Sequence, residues 1–142
     1  MEINMLSLDD FNFAGKAVLL RVDINSPIDP QTRRIASDNR IRKSLPTIRY
    51  LLDAGARLAM IAHQGDTLDY RNLLPLAEHA TLISRLLGRP IGYIDAVCGP
   101  AARTAVQELQ PGEAVLLGNL RYLTEEVSGF EKEVKLEPAG ML

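Results

Sequence analysis

Cysteine is almost absent from this 142-residue sequence, and tryptophan is entirely absent. Because Cys98 is the only cysteine, no disulfide forms within the chain, which is typical of proteins in a reducing cytoplasm. The first residues, MEINMLSLDDFNF, lack both a basic start and a long apolar core, so they do not resemble a signal peptide. No apolar run reaches the ~20 residues that a membrane helix needs. We therefore expect a cytoplasmic protein with no membrane contact.

A strong charge of one sign and the common cofactor motifs are also lacking. The formal net charge is −2, so the chain has no global attraction to nucleic acid, and we expect no nucleic-acid partner. Neither the phosphate-binding loop G-x-x-x-x-G-K-S/T nor the dinucleotide fingerprint G-x-G-x-x-G occurs. One cysteine and two distant histidines, of which His79 is interpreted as having no role, form no metal-ligand cluster. The sequence thus predicts neither a metal nor a bound cofactor in this chain.

What the sequence does contain is a regular alternation of apolar runs of strand length with segments of helical periodicity. The predicted strands span 17–24, 57–62, 91–95 and 114–119, and the predicted helices span 37–53, 73–87 and 100–109. This order is typical of an α/β fold, a Rossmann-like three-layer arrangement in which helices flank a parallel sheet. With about four strands the sheet is incomplete for such a fold. We expect residues 1–123 to form the domain and the charged residues 124–142 to be a partly helical or disordered tail, the start of a missing remainder.

The first predicted strand ends in alternating apolar and polar residues, VLLRVDINSP. Because successive side chains of a strand point to opposite faces, Arg21, Asp23 and Asn25 share one face. Burying three polar groups without partners costs several kcal/mol, so this face must meet polar groups, water or a ligand. Two interpretations are open at this point: an Arg21–Asp23 ion pair that fixes a loop, or a binding site at the end of the strand.

Other basic residues lie near the ends of the remaining predicted strands. His63 follows the second strand, Arg121 follows the fourth, and Arg40 lies near the start of the first helix. Ligands of parallel α/β sheets bind at the carboxyl ends of the strands, where these side chains are expected to meet. Arginine donates to carboxylate and phosphate, whereas Asp23 and Asn25 accept from hydroxyl groups. The set favours a small ligand with anionic and hydroxyl groups, although a histidine at a strand end is also typical of a structural hydrogen bond.

Four stretches of the sequence resemble the N-terminal domain of phosphoglycerate kinase. They are GKAVLLRVDINSP, SDNRIRKSLPTIRYLLDAGARLAMIAHQG, LISRLLGRPIGYID and ELQPGEAVLLGNLRY, in the family's order from about Leu8 to Tyr122. The Ala-His-Gln form after the second strand is similar to the archaeal branch. The resemblance implies a 3-phosphoglycerate site in this chain and Mg-ATP or Mg-ADP in a C-terminal domain that is missing here. It also implies phosphoryl transfer between 1,3-bisphosphoglycerate and ADP, in glycolysis and gluconeogenesis.

The resemblance further implies roles for individual residues. Arg21 corresponds to the arginine of the family's R-x-D-x-N strand and is expected to stabilise charge on the transferring phosphoryl group, so it is the predicted catalytic residue. The expected substrate-binding residues are Asp23, Asn25, Arg40, His63 and Arg121.

Two positions depart from the family pattern. The arginine that usually follows His-x-Gly/Ser is Asp66 here, and the glutamate before Asn-Leu-Arg is Gly118. Two unit charges ~4 Å apart interact by about 4 kcal/mol at an effective dielectric of 20, so Asp66 disfavours a neighbouring phosphate if it faces the site.

These departures leave two alternatives beside a truncated phosphoglycerate kinase, which is expected to be inactive alone. In the first, a phosphoglycerate-kinase-like protein acts on a different carboxylate that lacks the distal phosphate. In the second, the chain is a non-catalytic module whose incomplete sheet offers an open edge to a homodimer or a partner chain.

Overall fold

The computed structural model describes residues 5–65 and 73–127. The strands are β1 (Ala17–Arg21), β2 (Arg57–Ile61), β3 (Gly92–Tyr93) and β4 (Ala114–Leu116). The helices are α1 (Asn39–Asp53), α2 (Ala77–Leu87), α3 (Pro100–Gln107) and α4 (Thr124–Val127), with 3-10 turns at Leu8–Asp10 and Leu120–Tyr122. The predicted α/β fold of four strands alternating with three helices is confirmed. Across the described ranges, no helix combines the length and apolarity needed to cross a bilayer.

All strand pairs are parallel, and their spatial order is β1-β2-β4-β3. Leu19 of β1 pairs with Ala59 of β2, while Met60 of β2 and Tyr93 of β3 both pair with Leu116 of β4. Because the strands run in the same direction, their carboxyl ends lie side by side along one border of the sheet. We call this border the carboxyl edge, and it differs from the lateral edge that β1 forms. Every residue that directly follows a strand therefore starts from the carboxyl edge.

The larger core lies between the sheet and helices α1 and α2. Its fully buried side chains include Ile48 of α1, Ile83 of α2 and Met60 of β2. Helix α3 covers the opposite face, where Ala102 packs in a second cluster with Val115 of β4. Helices therefore lie on both faces of the sheet, which is the predicted three-layer arrangement.

Strand β1 is covered on one face only within the described part of the chain. Val18 and Leu20 pack against the larger core, whereas Leu19 remains 67% exposed. Leu19 lies on the same face as its neighbour Ala59, which belongs to the cluster under α3. The apolar side chain of Leu19 is thus exposed on an outermost strand of the described sheet.

The observed strands are shorter than the predicted ones at their carboxyl ends. Strand β1 ends at Arg21 instead of residue 24, β3 contains two residues, and β4 ends at Leu116 instead of residue 119. Extended chain still follows β1, since the N–H of Val22 donates to the carbonyl of Ile61 at 3.0 Å. Beyond β2 and β4, side-chain bonds join the segments, such as the one from the N–H of Gln64 to Asn119 Oδ1.

The helix boundaries also differ from the predicted ones. Helix α1 begins at Asn39 instead of residue 37, α2 begins at Ala77 instead of residue 73, and α3 ends at Gln107 instead of residue 109. Asp38 occupies the N-cap position of α1, but it makes no capping hydrogen bond and pairs with Arg42 at 2.9 Å. Of the predicted tail, residues 124–127 are helical and residues 128–142 lie outside the described residues.

Candidate functional site

Six polar residues predicted from the sequence lie around the carboxyl edge of the sheet, and we call them the strand-end cluster. Its members are Arg21, Asp23, Asn25, Arg40, His63 and Arg121. Each of them interacts with another member, either directly or through one intervening residue, in the contacts described below. The sequence therefore predicted which residues meet, and their individual roles stay predictions.

Arg40, in the first turn of α1, pairs with Asp23. Its Nη1 donates to both carboxylate oxygens of Asp23 at 3.0 Å. The two side chains are 55% and 65% exposed, and exposed pairs of this kind contribute about 0–1 kcal/mol, so a ligand can exchange with either partner at little cost. The Arg21–Asp23 ion pair considered from the sequence is wrong, because both residues have other partners.

Gly65 connects Asn25 with Arg121. The N–H of Gly65 donates to Asn25 Oδ1 at 3.1 Å, and its carbonyl accepts from Arg121 Nε at 3.2 Å. Gly65 has a φ of 97°, a backbone conformation that favours glycine. The turn after β2 thus holds groups from the segments that follow β1 and β4.

Glu126 of α4 joins the cluster, although sequence reasoning did not single it out. Its carboxylate accepts from both Nη atoms of Arg21, and its Oε1 lies 3.9 Å from Arg121 Nη1. The side chain is only 16% exposed. The hydrogen bond from Arg21, together with the charges of Arg21, Arg121 and His63, lowers the pKa of Glu126 and keeps it ionised at neutral pH. In the sequence, only the acidic pair at residues 125–126 points to this contact, and it does not predict the contact without the fold.

His63 is half-buried beside these charges. Burial lowers its pKa first, and the positive charges of Arg121 and Arg21 lower it further, while Asp23 and Glu126 act in the opposite direction. The imidazole is therefore mainly neutral at pH 7, where it offers a hydrogen-bond donor and an acceptor instead of a charge. The predicted group of cations consists in effect of three arginines and a neutral histidine.

A buried amide network fixes the loops that carry the cluster. The N–H of Gln64 donates to Asn119 Oδ1 at 3.0 Å, and Asn119 Nδ2 donates to the carbonyl of Gln64 at 2.9 Å. Gln64 Nε2 donates to the carbonyl of Ser26 at 2.9 Å, and the N–H of Ser26 donates to Gln64 Oε1 at 3.0 Å. The N–H of Arg121 also donates to Asn119 Oδ1, at 3.0 Å. Two side-chain amides thus join the segments that follow β1, β2 and β4.

His79 belongs to this network, which the sequence did not indicate. It is 1% exposed, and its Nε2 lies 2.9 Å from Gln64 Oε1. Because Gln64 Oε1 is an acceptor, the neutral ring is assigned as the Nε2–H tautomer. Burial lowers the pKa of His79 to about 4, against the charge of Glu78 and the backbone of Ile24. His79 therefore supports Gln64 as an uncharged donor.

A cavity of about 340 Å³ opens beside the cluster. Its lining includes Asn25, Arg40 and the turn formed by Gln64 and Gly65. This volume lies in the range of small-ligand sites, and a guanidinium with neighbouring amide groups suits a small polar anion. A larger cavity, of about 430 Å³, lies between residues 28–35 and α2 and contains no member of the strand-end cluster.

The glycine at position 118 has a packing reason. Its N–H donates to the carbonyl of Ala96 at 3.1 Å, and a Cβ on Gly118 would lie 3.0 Å from the nitrogen of Ala96 and 3.2 Å from that of Val97. A side chain at position 118 would therefore require the backbone at Ala96 and Val97 to shift by a few tenths of an ångström. The other departure from the family pattern, Asp66, lies outside the described residues.

No metal-binding group is evident in the described ranges. Within residues 5–65 and 73–127, no three or more His, Cys, Asp and Glu side chains are grouped so that they could hold a metal ion.

Several known proteins are similar to this chain over most of its length. The family model of phosphoglycerate kinase matches residues 8–139. The phosphoglycerate kinase of Thermococcus kodakarensis is 45% identical over 125 residues, which are 87% of this chain and 29% of that protein. The one from Methanothermus fervidus is 38% identical over 131 residues, 92% of this chain and 32% of that protein. The crystal structure of phosphoglycerate kinase from Pyrococcus horikoshii has a TM-score of 0.82 at 43% identity and covers 87% of this chain and 30% of that one.

The chain is an α/β protein, because its parallel sheet has helices on both faces. Three arginines lie together at the carboxyl ends of its strands. The chain belongs to the phosphoglycerate kinase family, and the resemblance seen in the sequence is confirmed. It spans 29% to 32% of the length of the relatives named above.

Proposed function

We propose that this chain is the acid-binding part of a phosphoglycerate kinase and that it holds 3-phosphoglycerate at the strand-end cluster. The complete protein transfers a phosphoryl group between 1,3-bisphosphoglycerate and ADP in the cytoplasm. The observation that carries the proposal is the meeting of three arginines from separate segments at one edge of the sheet. The chain spans about a third of its relatives' length. By itself it therefore binds the acid but does not catalyse phosphoryl transfer.

The cluster offers different groups to different parts of the acid. Arg40 and Arg121 supply forked donors for the carboxylate and the phosphate. Asp23, whose partner Arg40 is held in an exposed ion pair, accepts from the substrate hydroxyl once Arg40 turns to the ligand. Asn25 at the cavity wall and the neutral His63 nearby complete the hydrogen bonds.

Arg21 is the proposed catalytic cation, which stabilises the charge that develops on the transferring phosphoryl group. Its guanidinium is held by both oxygens of Glu126, which fix its position at the edge in the free chain. Arg21→Lys and Arg40→Lys variants of the complete protein test the assignment. We expect Arg21→Lys to lower kcat with little change in KM and Arg40→Lys mainly to raise KM. The reverse pattern would move the catalytic role to Arg40.

Membership of the family supports Mg-ATP or Mg-ADP as the second substrate, bound by the remaining two thirds of the complete protein. The strand-end cluster itself is rich in arginine, whereas magnesium prefers oxygen ligands such as carboxylates. Its residues therefore do not fit the metal, and no step at this edge passes through it.

Calorimetric titration of the chain with 3-phosphoglycerate tests the site. Arg121→Ala removes a forked donor and should weaken binding by about tenfold or more. Arg49→Ala, an exposed arginine on α1 away from the cluster, is the matched control and should bind as the unchanged chain does. Equal affinities of the Arg121→Ala and Arg49→Ala chains would place the site elsewhere.

The anion at position 66 favours a second candidate, an enzyme for an acid without the distal phosphate. Titration with glycerate beside 3-phosphoglycerate separates the two candidates. Tighter or equal binding of glycerate supports the second one, and a clear preference for 3-phosphoglycerate supports the first.

The open side of β1 and the exposed Leu19 favour a third candidate, a module that dimerises through the edge of its sheet. Light scattering distinguishes it. A stable dimer that does not bind either acid supports the module, whereas a monomer that binds an acid supports the enzyme.

A further inference from the structure

Glu126 lies where the proposed function needs an external anion. Its carboxylate accepts from both Nη atoms of Arg21 and lies 3.9 Å from Arg121. We propose that Glu126 is an internal competitor, which neutralises these arginines in the free chain and is displaced when the anionic substrate binds. The inference deepens the proposed function and rests on it.

The contacts of Glu126 are those of a bound carboxylic acid. Two oxygens facing two nitrogens of one guanidinium form the forked pair that arginine makes with carboxylate ligands. The second guanidinium, from Arg121, approaches the same oxygen from another segment of the chain. The same two Nη atoms cannot fork onto two carboxylates at once, so a ligand that forks onto this side of Arg21 must replace Glu126.

The exchange requires little rearrangement of the fold. Helix α4 has four residues, Thr124–Val127, and a helix of one turn has little stability of its own. The N–H of Glu126 donates to the carbonyl of Leu123 at 3.2 Å, so the glutamate is attached to the turn that carries Arg121. Because the incoming anion takes over the pairing with Arg21 and Arg121, neither guanidinium is left without a counter-charge, which limits the electrostatic cost.

The Arg40–Asp23 pair has the same construction. Here too an arginine of the cluster is held by an internal carboxylate, at 3.0 Å. Two arginines are thus neutralised before any ligand arrives. A monovalent anion gains little by replacing one internal carboxylate, whereas an acid that carries both a carboxylate and a phosphate engages several guanidinium groups together.

The Glu126→Gln substitution removes the charge and keeps the size, and Glu125→Gln is the matched control, because Glu125 is the exposed neighbour on the same turn. Calorimetry at low salt with 3-phosphoglycerate and with inorganic phosphate measures the effect. We expect Glu126→Gln to bind both about fivefold to tenfold more tightly, with Glu125→Gln unchanged and the gain reduced in high salt. Equal or weaker binding of both anions by Glu126→Gln would overturn the inference.

A second measurement needs no ligand. Because the charge of Glu126 raises the pKa of His63, NMR titration should give a lower His63 pKa in Glu126→Gln and no change in Glu125→Gln. An unchanged His63 pKa in Glu126→Gln means that the carboxylate is not held at the cluster and also overturns the inference.

The two probes separate this inference from the proposed function. If inorganic phosphate binds more tightly to Glu126→Gln while 3-phosphoglycerate binds to no variant, the substrate is wrong and the internal competitor stands. If neither probe binds to any variant, both are wrong.

Discussion

Replacing the buried His79 by glutamine should flatten the dependence of stability on pH. His79 is 1% exposed and lies 2.9 Å from Gln64 Oε1, and its pKa falls from 6.5 to about 4 because burial disfavours the charged ring. The folded chain thus binds fewer protons than the unfolded chain between these two values. His79 therefore contributes stability that is complete above about pH 6.5 and is lost as the pH falls towards 4.

The size of the effect follows from the two pKa values. As the pH falls from 6.5 to about 4, the titration of His79 lowers the free energy of unfolding by about 3 kcal/mol. Between pH 7 and pH 5 the same linkage gives about 2 kcal/mol. Glutamine at position 79 carries an amide that replaces the Nε2–H donor to Gln64 and does not titrate, so its contribution is constant with pH.

Urea denaturation of the chain, followed by circular dichroism near pH 7 and near pH 5, measures this difference. His63→Gln is the matched control, because it removes the only other histidine and leaves the buried network intact. The loss of stability on acidification should be about 2 kcal/mol smaller in His79→Gln than in the unchanged chain, and the His63→Gln chain should keep the contribution of His79. Equal losses in the His79→Gln and unchanged chains would show that the ring is not buried in its neutral form. If His79→Gln does not fold, NMR titration of the His79 imidazole gives the same test, and a pKa near 6.5 would refute the reasoning.

Three further outcomes follow from the packing. Gly118→Ala places a Cβ 3.0 Å from the backbone nitrogen of Ala96 and should lower the unfolding free energy by about 1–3 kcal/mol in urea denaturation, and an unchanged midpoint would contradict the close approach. Asn119→Ala leaves the buried N–H and carbonyl of Gln64 without their partners and should destabilise the chain by about 3 kcal/mol, whereas a loss below about 1 kcal/mol would mean that water replaces the amide. Leu19→Ser should change the stability of the monomer by less than about 0.5 kcal/mol, because the side chain is 67% exposed, and a larger loss would show that this face is covered in solution.

The layered architecture could be predicted because each strand and helix has its own hydrophobic pattern in the local sequence. The runs VLLR, RLAMI and AVL are apolar and of strand length, and all three form strands. Their carboxyl ends were predicted too long because the apolar pattern continues past the last ladder residue. The segments beyond the strands are fixed by side-chain bonds between distant parts of the chain, and local sequence does not show such long-range partners.

The site was predicted in part for a similar reason. Arg21, Asp23 and Asn25 stand out because polar groups alternate with apolar ones in a buried segment, and the strand-end rule places Arg121 near them. Glu126 was missed because an acidic pair in a charged segment resembles ordinary surface. His79 was misinterpreted because one histidine in an amphipathic helix does not reveal that Gln64, from another segment, faces it.

The strand-end cluster is assembled from several separate segments of the chain, and the buried amides of Gln64 and Asn119 bond the segments that follow β2 and β4 to one another. Such a layout is modular. One segment can change in length or composition while the amides of Gln64 and Asn119 hold the other segments in place. Ligand recognition can therefore change without a change of the fold. Residues 66–72 directly follow one anchored turn. Asp66→Arg, which introduces the residue of the family pattern in this stretch, should therefore alter ligand preference with the rest of the domain intact.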